Sequence, residues 1–318
     1  MFSRLPRPLR FLQLRSVLAI CAACGTAAAF GASPLDQWTW VSPDAKEDFK
    51  GANYEAVSYE ATRDLLVVVG NSGKALVRKA AETSWRSYDL GTQRPLYDVS
   101  TSNGTFYAVG ARGTLISSKD GEKWTARDST LTVPFFAITY TNSVFVAVGD
   151  GGRIVTSRVG SQWSEQSSRV VDSLFGVAYH SANFVAVGVN GIALRSTDGT
   201  FWLPQDSGTK VSLHSVTAGK KQFVAVGDEG VILTSPDGFK WTPRNSGTEK
   251  NLNGIAFGNG LYLAVGSEGT ILSSADGIAW TSHHSGVTHF LKGAAFVKNS
   301  FLVVGWNGVI LQSGTFGK

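Results

Sequence analysis

The chain has 318 residues, of which 43% are hydrophobic and 36 are glycine, so it is long enough to bury a sizeable core. Its formal net charge of +5 overstates how basic the folded part is, because residues 1–32 contain four of the 29 Lys and Arg residues and none of the 24 acidic residues. The remainder carries a net charge of only about +1, which argues against a general polyanion binder, and we expect no nucleic-acid partner.

The amino terminus has the pattern of a signal peptide over residues 1–31. Arginines precede an apolar stretch over residues 16–23, which is too short to span a membrane comfortably, and small residues then offer cleavage sites. Both cysteines, Cys21 and Cys24, lie in this segment, so cleavage would leave no thiol for a disulfide or for catalysis. We therefore expect a periplasmic or secreted protein with no stable membrane span after cleavage. The alternative is a lipid anchor at Cys24, although the aliphatic residue usual upstream of such a cysteine is missing.

The rest of the sequence repeats with a period of 39 residues. Each repeat contains a short β-branched or aromatic run that ends in an anchor glycine, and most repeats carry a tryptophan farther along. The anchor glycines are Gly70, Gly110, Gly149, Gly188, Gly227, Gly266 and Gly305, and the tryptophans are Trp85, Trp124, Trp163, Trp202, Trp241 and Trp280. Such runs at a fixed period are typical of propeller blades. We predict one all-β domain over residues 32–318, a seven-bladed β-propeller with four antiparallel strands per blade.

The ends of the chain indicate how this ring closes. The seventh repeat stops near residue 313, before the turn and tryptophan that complete the other repeats. The missing piece stands at the other end of the chain, where Trp38-Thr39 matches Trp124-Thr125. We predict that residues 37–41 form the outer strand of blade 7 and remove an exposed sheet edge. Residues 43–53 are then an insertion relative to the other connections between blades.

The turn before the outer strand has the pattern Ser-x-Asp-Gly-x-x-Trp in four of the repeats. Its aspartates are Asp120, Asp198, Asp237 and Asp276. In the third repeat Val159 replaces the aspartate, and in the first the pattern is degraded over residues 78–85. An aspartate in a turn can accept hydrogen bonds from the N–H groups of that same turn. Because the motif recurs at equivalent positions, we predict a structural role for these residues.

These turns resemble the Asp-box, or BNR, repeat of sialidase-type propellers. Taken with the Val-Ala-Val-Gly strands, the sequence most resembles the Ycf48/Hcf136-like photosystem II assembly factor domains, over about residues 37–313. The resemblance implies the propeller fold and a role in docking a client protein through a patch of arginines. It identifies no client, because such repeats occur in proteins with many unrelated activities.

The turns after the anchor glycines and the links between blades share one face of a propeller, and residues that break the repeat there are candidates for binding. The basic candidates, in blades 2 and 3 and their connections, are Arg94, Arg112, Arg153 and Arg169. The acidic candidates, in blades 5 and 6, are Asp228, Glu229 and Glu268. This predicts a face with a basic and an acidic side, which could orient a charged partner. The alternative is that the arginines are ordinary solvated surface residues.

Trp306 is a further candidate, because the six equivalent positions carry small, polar or aliphatic residues. An indole at the mouth of a channel can stack on a sugar or anchor a peptide. The alternative is packing against the closing strand or against the insertion around Phe49. Tyr97, Phe135 and Phe136 offer further apolar surface near the channel, or packing between blades.

We predict no catalytic residue, no cofactor and no metal site. The sialidase arrangement of an arginine triad and a Tyr–Glu pair is not recognisable, and the sequence cannot pair unique acids such as Asp98 and Asp172 across the channel. The histidines near the end of blade 6, His283, His284 and His289, are only a weak metal signal. The predicted function is an exported, monomeric binding or assembly module that docks an envelope or secreted protein or peptide. The alternative is a carbohydrate-active propeller, either a sialidase-like glycoside hydrolase or a lectin with a glycan ligand.

Overall fold

The structure is a computed structural model that describes residues 33–43, 51–127, 129, 131–141 and 143–317. The described residues belong to one compact unit. The predicted signal peptide lies outside the described residues, as does most of the predicted insertion at residues 43–53. Within the described ranges the regular structure consists of strands and single 3-10 turns, and none of it is a helix long and apolar enough to cross a membrane.

Among the described residues, the strands form seven sheets of four strands each, which are the blades. The first strand, β1 (Trp38–Trp40), belongs to the last blade. Blade 1 contains β2 (Tyr54–Glu60), β3 (Leu65–Gly70), β4 (Lys74–Lys79) and β5 (Arg86–Asp89). Blade 2 contains β6 (Leu96–Ser102), β7 (Thr105–Gly110), β8 (Leu115–Ser118) and β9 (Thr125–Ala126). Blade 3 contains β10 (Phe135–Thr141), β11 (Val144–Gly149), β12 (Ile154–Ser157) and β13 (Ser164–Gln166).

The remaining blades repeat this order of strands. Blade 4 contains β14 (Leu174–His180), β15 (Asn183–Gly188), β16 (Ala193–Ser196) and β17 (Leu203–Gln205). Blade 5 contains β18 (Leu213–Ala218), β19 (Phe223–Gly227), β20 (Ile232–Ser235) and β21 (Thr242–Arg244). Blade 6 contains β22 (Leu252–Gly258), β23 (Leu261–Gly266), β24 (Thr270–Ser274) and β25 (Thr281–His284). Blade 7 contains β26 (Leu291–Val297), β27 (Ser300–Gly305), β28 (Ile310–Ser313) and β1.

Each blade is an antiparallel meander that runs from an inner to an outer strand. Consecutive inner strands, such as β14 and β18, pack against one another around the ring. The prediction of an all-β, seven-bladed propeller with four antiparallel strands per blade is confirmed.

The ring closes between the two ends of the chain. Strand β1 pairs antiparallel with β28, with Trp38 opposite Ser313 and Trp40 opposite Leu311. Leu35 is buried just before β1, and the Trp38 indole donates to its carbonyl over 2.8 Å. The predicted closing strand is therefore confirmed, and it covers the edge that β28 would otherwise expose.

Aromatic side chains fill the space between blades. A phenylalanine four residues before the anchor glycine is fully buried in four of the blades: Phe106, Phe184, Phe223 and Phe301. Full burial of one such ring stabilises the fold by about 2–3 kcal/mol. Phe135, one of the predicted apolar candidates, is also fully buried and packs between blades 2 and 3.

The Ser-x-Asp-Gly-x-x-Trp turns are held by their own side chains. In blade 4, Asp198 Oδ1 accepts hydrogen bonds from the N–H groups of Thr200 (2.8 Å) and Phe201 (3.0 Å). The Trp202 indole donates to the Gly199 carbonyl over 2.9 Å and is fully buried. The equivalent carboxylates accept backbone N–H bonds in the same way: Asp120, Asp237 and Asp276.

Candidate functional site

One face of the ring carries both the turns after the anchor glycines and the links between blades; we call it the upper face. The Asp150 N–H donates to the carbonyl of Pro134 over 2.9 Å, and the Val189 N–H donates to that of Ser173 over 3.0 Å. These bonds tie each turn to the link that precedes its own inner strand. The opposite face, which carries the Ser-x-Asp-Gly-x-x-Trp turns, is the lower face.

The anchor glycines are required by this arrangement. A Cβ on Gly149 would collide with the carbonyl of Pro134, and the same clash recurs in the other blades. In six of the seven blades the residues after the anchor form a tight turn in which two consecutive positions have positive φ, as at Glu229 (55°) and Gly230 (69°). The left-handed conformation therefore includes the variable residue before the glycine, which holds that side chain at the surface.

A β-bulge stands at the start of every inner strand. In blade 3, Phe135 pairs with Gly149 and Ala137 pairs with Val148, so Phe136 is the extra residue. The same shift of register occurs in the other six blades. A bulge re-aims the extra side chain. The seven extra residues line the central channel: Glu55, Tyr97, Phe136, Phe175, His214, Asn253 and Lys292.

These seven residues, which we call the channel ring, surround a cavity of about 550 Å³. One side of the ring is aromatic. The ring centroids of Tyr97 and Phe136 are 5.4 Å apart, and those of Phe136 and Phe175 are 5.3 Å apart. His214 stacks on Phe175 at 5.6 Å. This continuous aromatic arc is partly exposed to the cavity, so it can bury apolar groups of a ligand.

The other side of the channel ring is polar. Lys292 Nζ lies 3.7 Å from Glu55 Oε2, and the Trp306 indole donates to Glu55 Oε1 over 3.0 Å. Trp306 packs on Phe290 with ring centroids 5.0 Å apart. Burial and the nearby Glu55 carboxylate raise the pKa of Tyr97, so its hydroxyl stays protonated as a hydrogen-bond donor.

Asp98 adds a carboxylate to the wall of the channel. Its side chain accepts hydrogen bonds from the N–H groups of Ile138 and Val99, each over 2.8 Å. Burial raises the pKa of Asp98 to about 6, although these two hydrogen bonds oppose the shift. The channel therefore holds a carboxyl group whose charge changes near neutral pH.

The four predicted arginines separate into different environments. Arg94 and Arg112 lie together on the upper face, where Arg94 Nη1 donates to the Arg112 carbonyl over 3.4 Å, and both are exposed. Arg153 forms an ion pair with Glu165 of the outer strand β13. Arg169 stacks on the ring of Phe201 at 4.5 Å. The structure thus brings two of the four together, and partners within the chain engage the other two.

Two of the three predicted acidic residues have side-chain partners within the chain. Asp228 Oδ1 lies 2.7 Å from Nε2 of His214 in the channel ring. Glu268 forms an ion pair with Lys250 over 2.7 Å, and the Glu229 N–H donates to Asn251. Asp228 therefore orients a ring residue, whereas Glu229 and Glu268 are exposed near the rim of the upper face.

No group of three or more His, Cys, Asp or Glu side chains that could hold a metal ion is present in the described residues. The histidines near the end of blade 6 have other neighbours. His283 contacts Asp36 (3.1 Å) and Ser273 (2.8 Å), and His289 lies edge-on to Trp40.

A family model described as the DUF6242 beta propeller domain matches residues 35–178. YCF48 from Cyanidioschyzon merolae has a TM-score of 0.69 at 17% identity, over 87% of this chain and 98% of that chain. A structure of YCF48 bound to D1 peptide has a TM-score of 0.70 at 17% identity, over 88% of this chain and 95% of that chain. The chain has the fold of a Ycf48-like β-propeller.

The Ycf48-like β-propeller fold is also similar to that of an enzyme. A catalytically inactive virginiamycin B lyase from Staphylococcus aureus, with quinupristin, has a TM-score of 0.77 at 10% identity, over 88% of this chain and 99% of that chain. No curated protein matches the sequence. Similarity at these identities establishes the fold, so function must be argued from the residues of this propeller.

Proposed function

We propose that this propeller is an exported, non-catalytic module that docks a segment of an envelope or secreted protein on its upper face. The observation that carries the proposal is the channel ring, in which an aromatic arc faces a polar side across one cavity. A peptide segment combines apolar side chains with backbone and charged groups, and the two sides of the ring complement both.

The aromatic arc supplies the binding energy in this proposal. Burying one large apolar side chain against Phe136 and Phe175 would contribute about 1.5–3 kcal/mol. Because the ring residues stand on strands of a closed propeller, little conformational freedom is lost when they meet a ligand. Trp306, held by Glu55 and packed on Phe290, extends the apolar surface onto the upper face.

The exposed pair Arg94 and Arg112 supplies orientation. Both lie on the upper face beside blade 2, whose Tyr97 begins the aromatic arc. Rim charges of this kind mainly raise association rates and specificity. The structure of YCF48 bound to D1 peptide, which has a similar fold, supports a peptide as the partner.

The proposal is tested with purified protein and a library of random linear peptides. We expect selected peptides to carry a large apolar side chain near an acidic residue. Phe136→Ala/Phe175→Ala should weaken their binding by at least about tenfold. Arg94→Glu/Arg112→Glu should slow association, and the effect should shrink as salt is added.

A matched control is available on the lower face. Lys123 and Lys240 are exposed in Ser-x-Asp-Gly-x-x-Trp turns, so Lys123→Glu/Lys240→Glu changes the net charge by four, as the arginine variant does, without touching the upper face. It should leave peptide affinity unchanged. Selected peptides that bind equally well to the Phe136→Ala/Phe175→Ala variant would overturn the proposal. Specific glycan binding or turnover of an aryl glycoside would favour the carbohydrate-active alternative.

Export is tested separately, by fractionating cells of the source organism and sequencing the amino terminus of the mature protein. We expect a chain that begins near residue 32 and is found outside the cytoplasm. Full-length protein confined to the cytoplasm would contradict this part of the proposal.

A further inference from the structure

Blade 1 breaks the repeat at a buried position. Six blades have a serine at the end of the third strand, where it lies opposite or beside a buried Phe or Tyr of the second strand: Ser118, Ser157, Ser196, Ser235, Ser274 and Ser313. Blade 1 has Arg78 opposite Leu66 instead. At the seam between the first and last blades, Leu66 therefore replaces the usual aromatic residue, and the long, charged Arg78 replaces the usual serine.

Arg78 is buried without a counter-charge among the described residues. Its residue surface is only 4% exposed. Nη1 donates to the Glu82 carbonyl (2.8 Å), Nη2 donates to Gln312 Oε1 (3.0 Å), and the guanidinium stacks on Trp85 at 4.6 Å. All three partners are uncharged groups. The buried Nε has no hydrogen-bond partner in the described part of the chain.

A buried charge is normally paired, because taking an isolated ion out of water is costly. Burial lowers the pKa of Arg78, the direction expected when the charged form lacks a counter-ion. Arginine nevertheless stays protonated in proteins, so the positive charge persists at this seam.

Arg78 lines a cavity of about 220 Å³ between blades 1 and 7, on the lower face. Lys298, Asn299, Ser300 and Thr315 also line it. Lys298 is paired with Asp64 over 2.7 Å. Two cations and several hydrogen-bond donors therefore line the cavity. Asp64, outside the lining, neutralises Lys298, so the charge of Arg78 is the one left without a counter-ion.

We propose that this cavity binds a small oxyanion, of the phosphate, sulfate or carboxylate class, as the counter-ion of Arg78. A guanidinium matches the oxygens of such anions with parallel N–H donors, and a hydroxyl or an amide can complete the shell. Bound at the seam, the anion would connect blade 7 to blade 1 and stabilise the closed ring. The site lies on the face opposite the channel ring and does not depend on the proposed peptide docking.

The test measures binding of phosphate, sulfate and acetate to the full chain by isothermal titration calorimetry, in chloride buffer of matched ionic strength. We expect saturable binding of at least one anion and a thermal midpoint that rises with its concentration beyond the effect of the matched salt. Sulfate and phosphate stabilise many proteins non-specifically, so a variant at the seam is essential. Arg78→Met keeps the volume and removes the charge, and it should weaken binding at least about tenfold.

Two outcomes would overturn the proposal. One is that none of the three anions binds saturably to the wild-type chain. The other is unchanged affinity in Arg78→Met. If that variant does not fold, Lys298→Gln at the edge of the cavity replaces it, and undiminished anion affinity in Lys298→Gln would count against the site. Lys240→Glu, also on the lower face but outside the cavity, is the charge control and should bind the anion as the wild type does.

Discussion

At the scale of single residues, Asp98 stands out within the channel. The residue after the bulge is alanine, glycine or serine in the other six blades, and only blade 2 places a carboxyl group there: Ala56, Ala137, Gly176, Ser215, Gly254 and Gly293 are its counterparts. Burial raises the pKa of Asp98 to about 6, whereas an unfolded chain has an aspartate pKa of about 3.9. Between these values the folded state holds a proton that the unfolded state has lost.

This difference predicts how stability depends on pH at this position. As pH rises from about 4 to about 6, Asp98 ionises in the unfolded state but stays protonated in the folded state, which should lower the free energy of unfolding by up to about 3 kcal/mol. Asp98→Asn cannot ionise and should lack this loss, so its stability relative to the wild type should increase over the same range. Denaturant unfolding at a series of pH values measures the difference. Ser215→Ala, at the equivalent position of blade 5, is the control, and its stability relative to the wild type should stay constant over this range. A constant difference in stability between Asp98→Asn and the wild type would contradict the assignment.

Single residues also show where sequence reasoning succeeded and where it stopped. From the sequence, Phe136 is expected either near the channel or between blades, and the structure places it in the channel ring. The partners of Arg153 and Arg169 were not predictable in the same way. Glu165 and Phe201 lie on other strands and turns, and which side chain meets an arginine there depends on packing that the period of the repeat does not determine.

At the scale of elements, the Ser-x-Asp-Gly-x-x-Trp turn can be compared between blades that have its aspartate and a blade that lacks it. Asp198 accepts two backbone N–H bonds within its turn, and these bonds lower its pKa to about 2 against the opposing effect of burial. The turn in blade 3 has Val159 at the same position, yet the Ser157 hydroxyl still accepts the Gly160 N–H over 2.8 Å. The backbone of the turn therefore forms without the carboxylate, which adds stability to a shape that already exists.

Exchanging the two residues tests this interpretation. Asp198→Val should lower the free energy of unfolding by about 1 kcal/mol at neutral pH, the low end for bonds to a charged group because the carboxylate is exposed. Since the folded-state pKa is depressed, the loss should fade as pH falls from about 4 towards 2. Val159→Asp should raise stability by a few tenths of a kcal/mol or more. Urea unfolding of both variants measures these changes. If both substitutions changed the free energy of unfolding equally and in the same direction, the carboxylate would not be what stabilises the turn.

At the scale of the whole molecule, the sequence predicted the fold because the repeat constrains it so heavily. The positions of Gly149 and Gly188 mark strand ends that only glycine permits, and the spacing between them fixes one blade. The closing strand was predictable for the same reason, since Trp38 matched a position that the seventh repeat lacked. The channel ring is not evident from the repeat, because its seven side chains differ in chemistry. The β-bulges, which appear only in the structure, show that all seven point into one cavity.

The final prediction concerns ring closure. Deleting residues 1–42 removes β1 and the buried Leu35, and it leaves β28 as an unpaired edge. We expect a loss of more than about 3 kcal/mol of stability, from the lost side-chain burial and strand pairing, together with self-association through the exposed edge. Deleting residues 1–32 alone leaves this strand in place and is the matched control. Thermal unfolding and light scattering distinguish the two deletions. If both deletions are equally stable and equally monodisperse, β1 is dispensable and the other strands hold the ring closed without it.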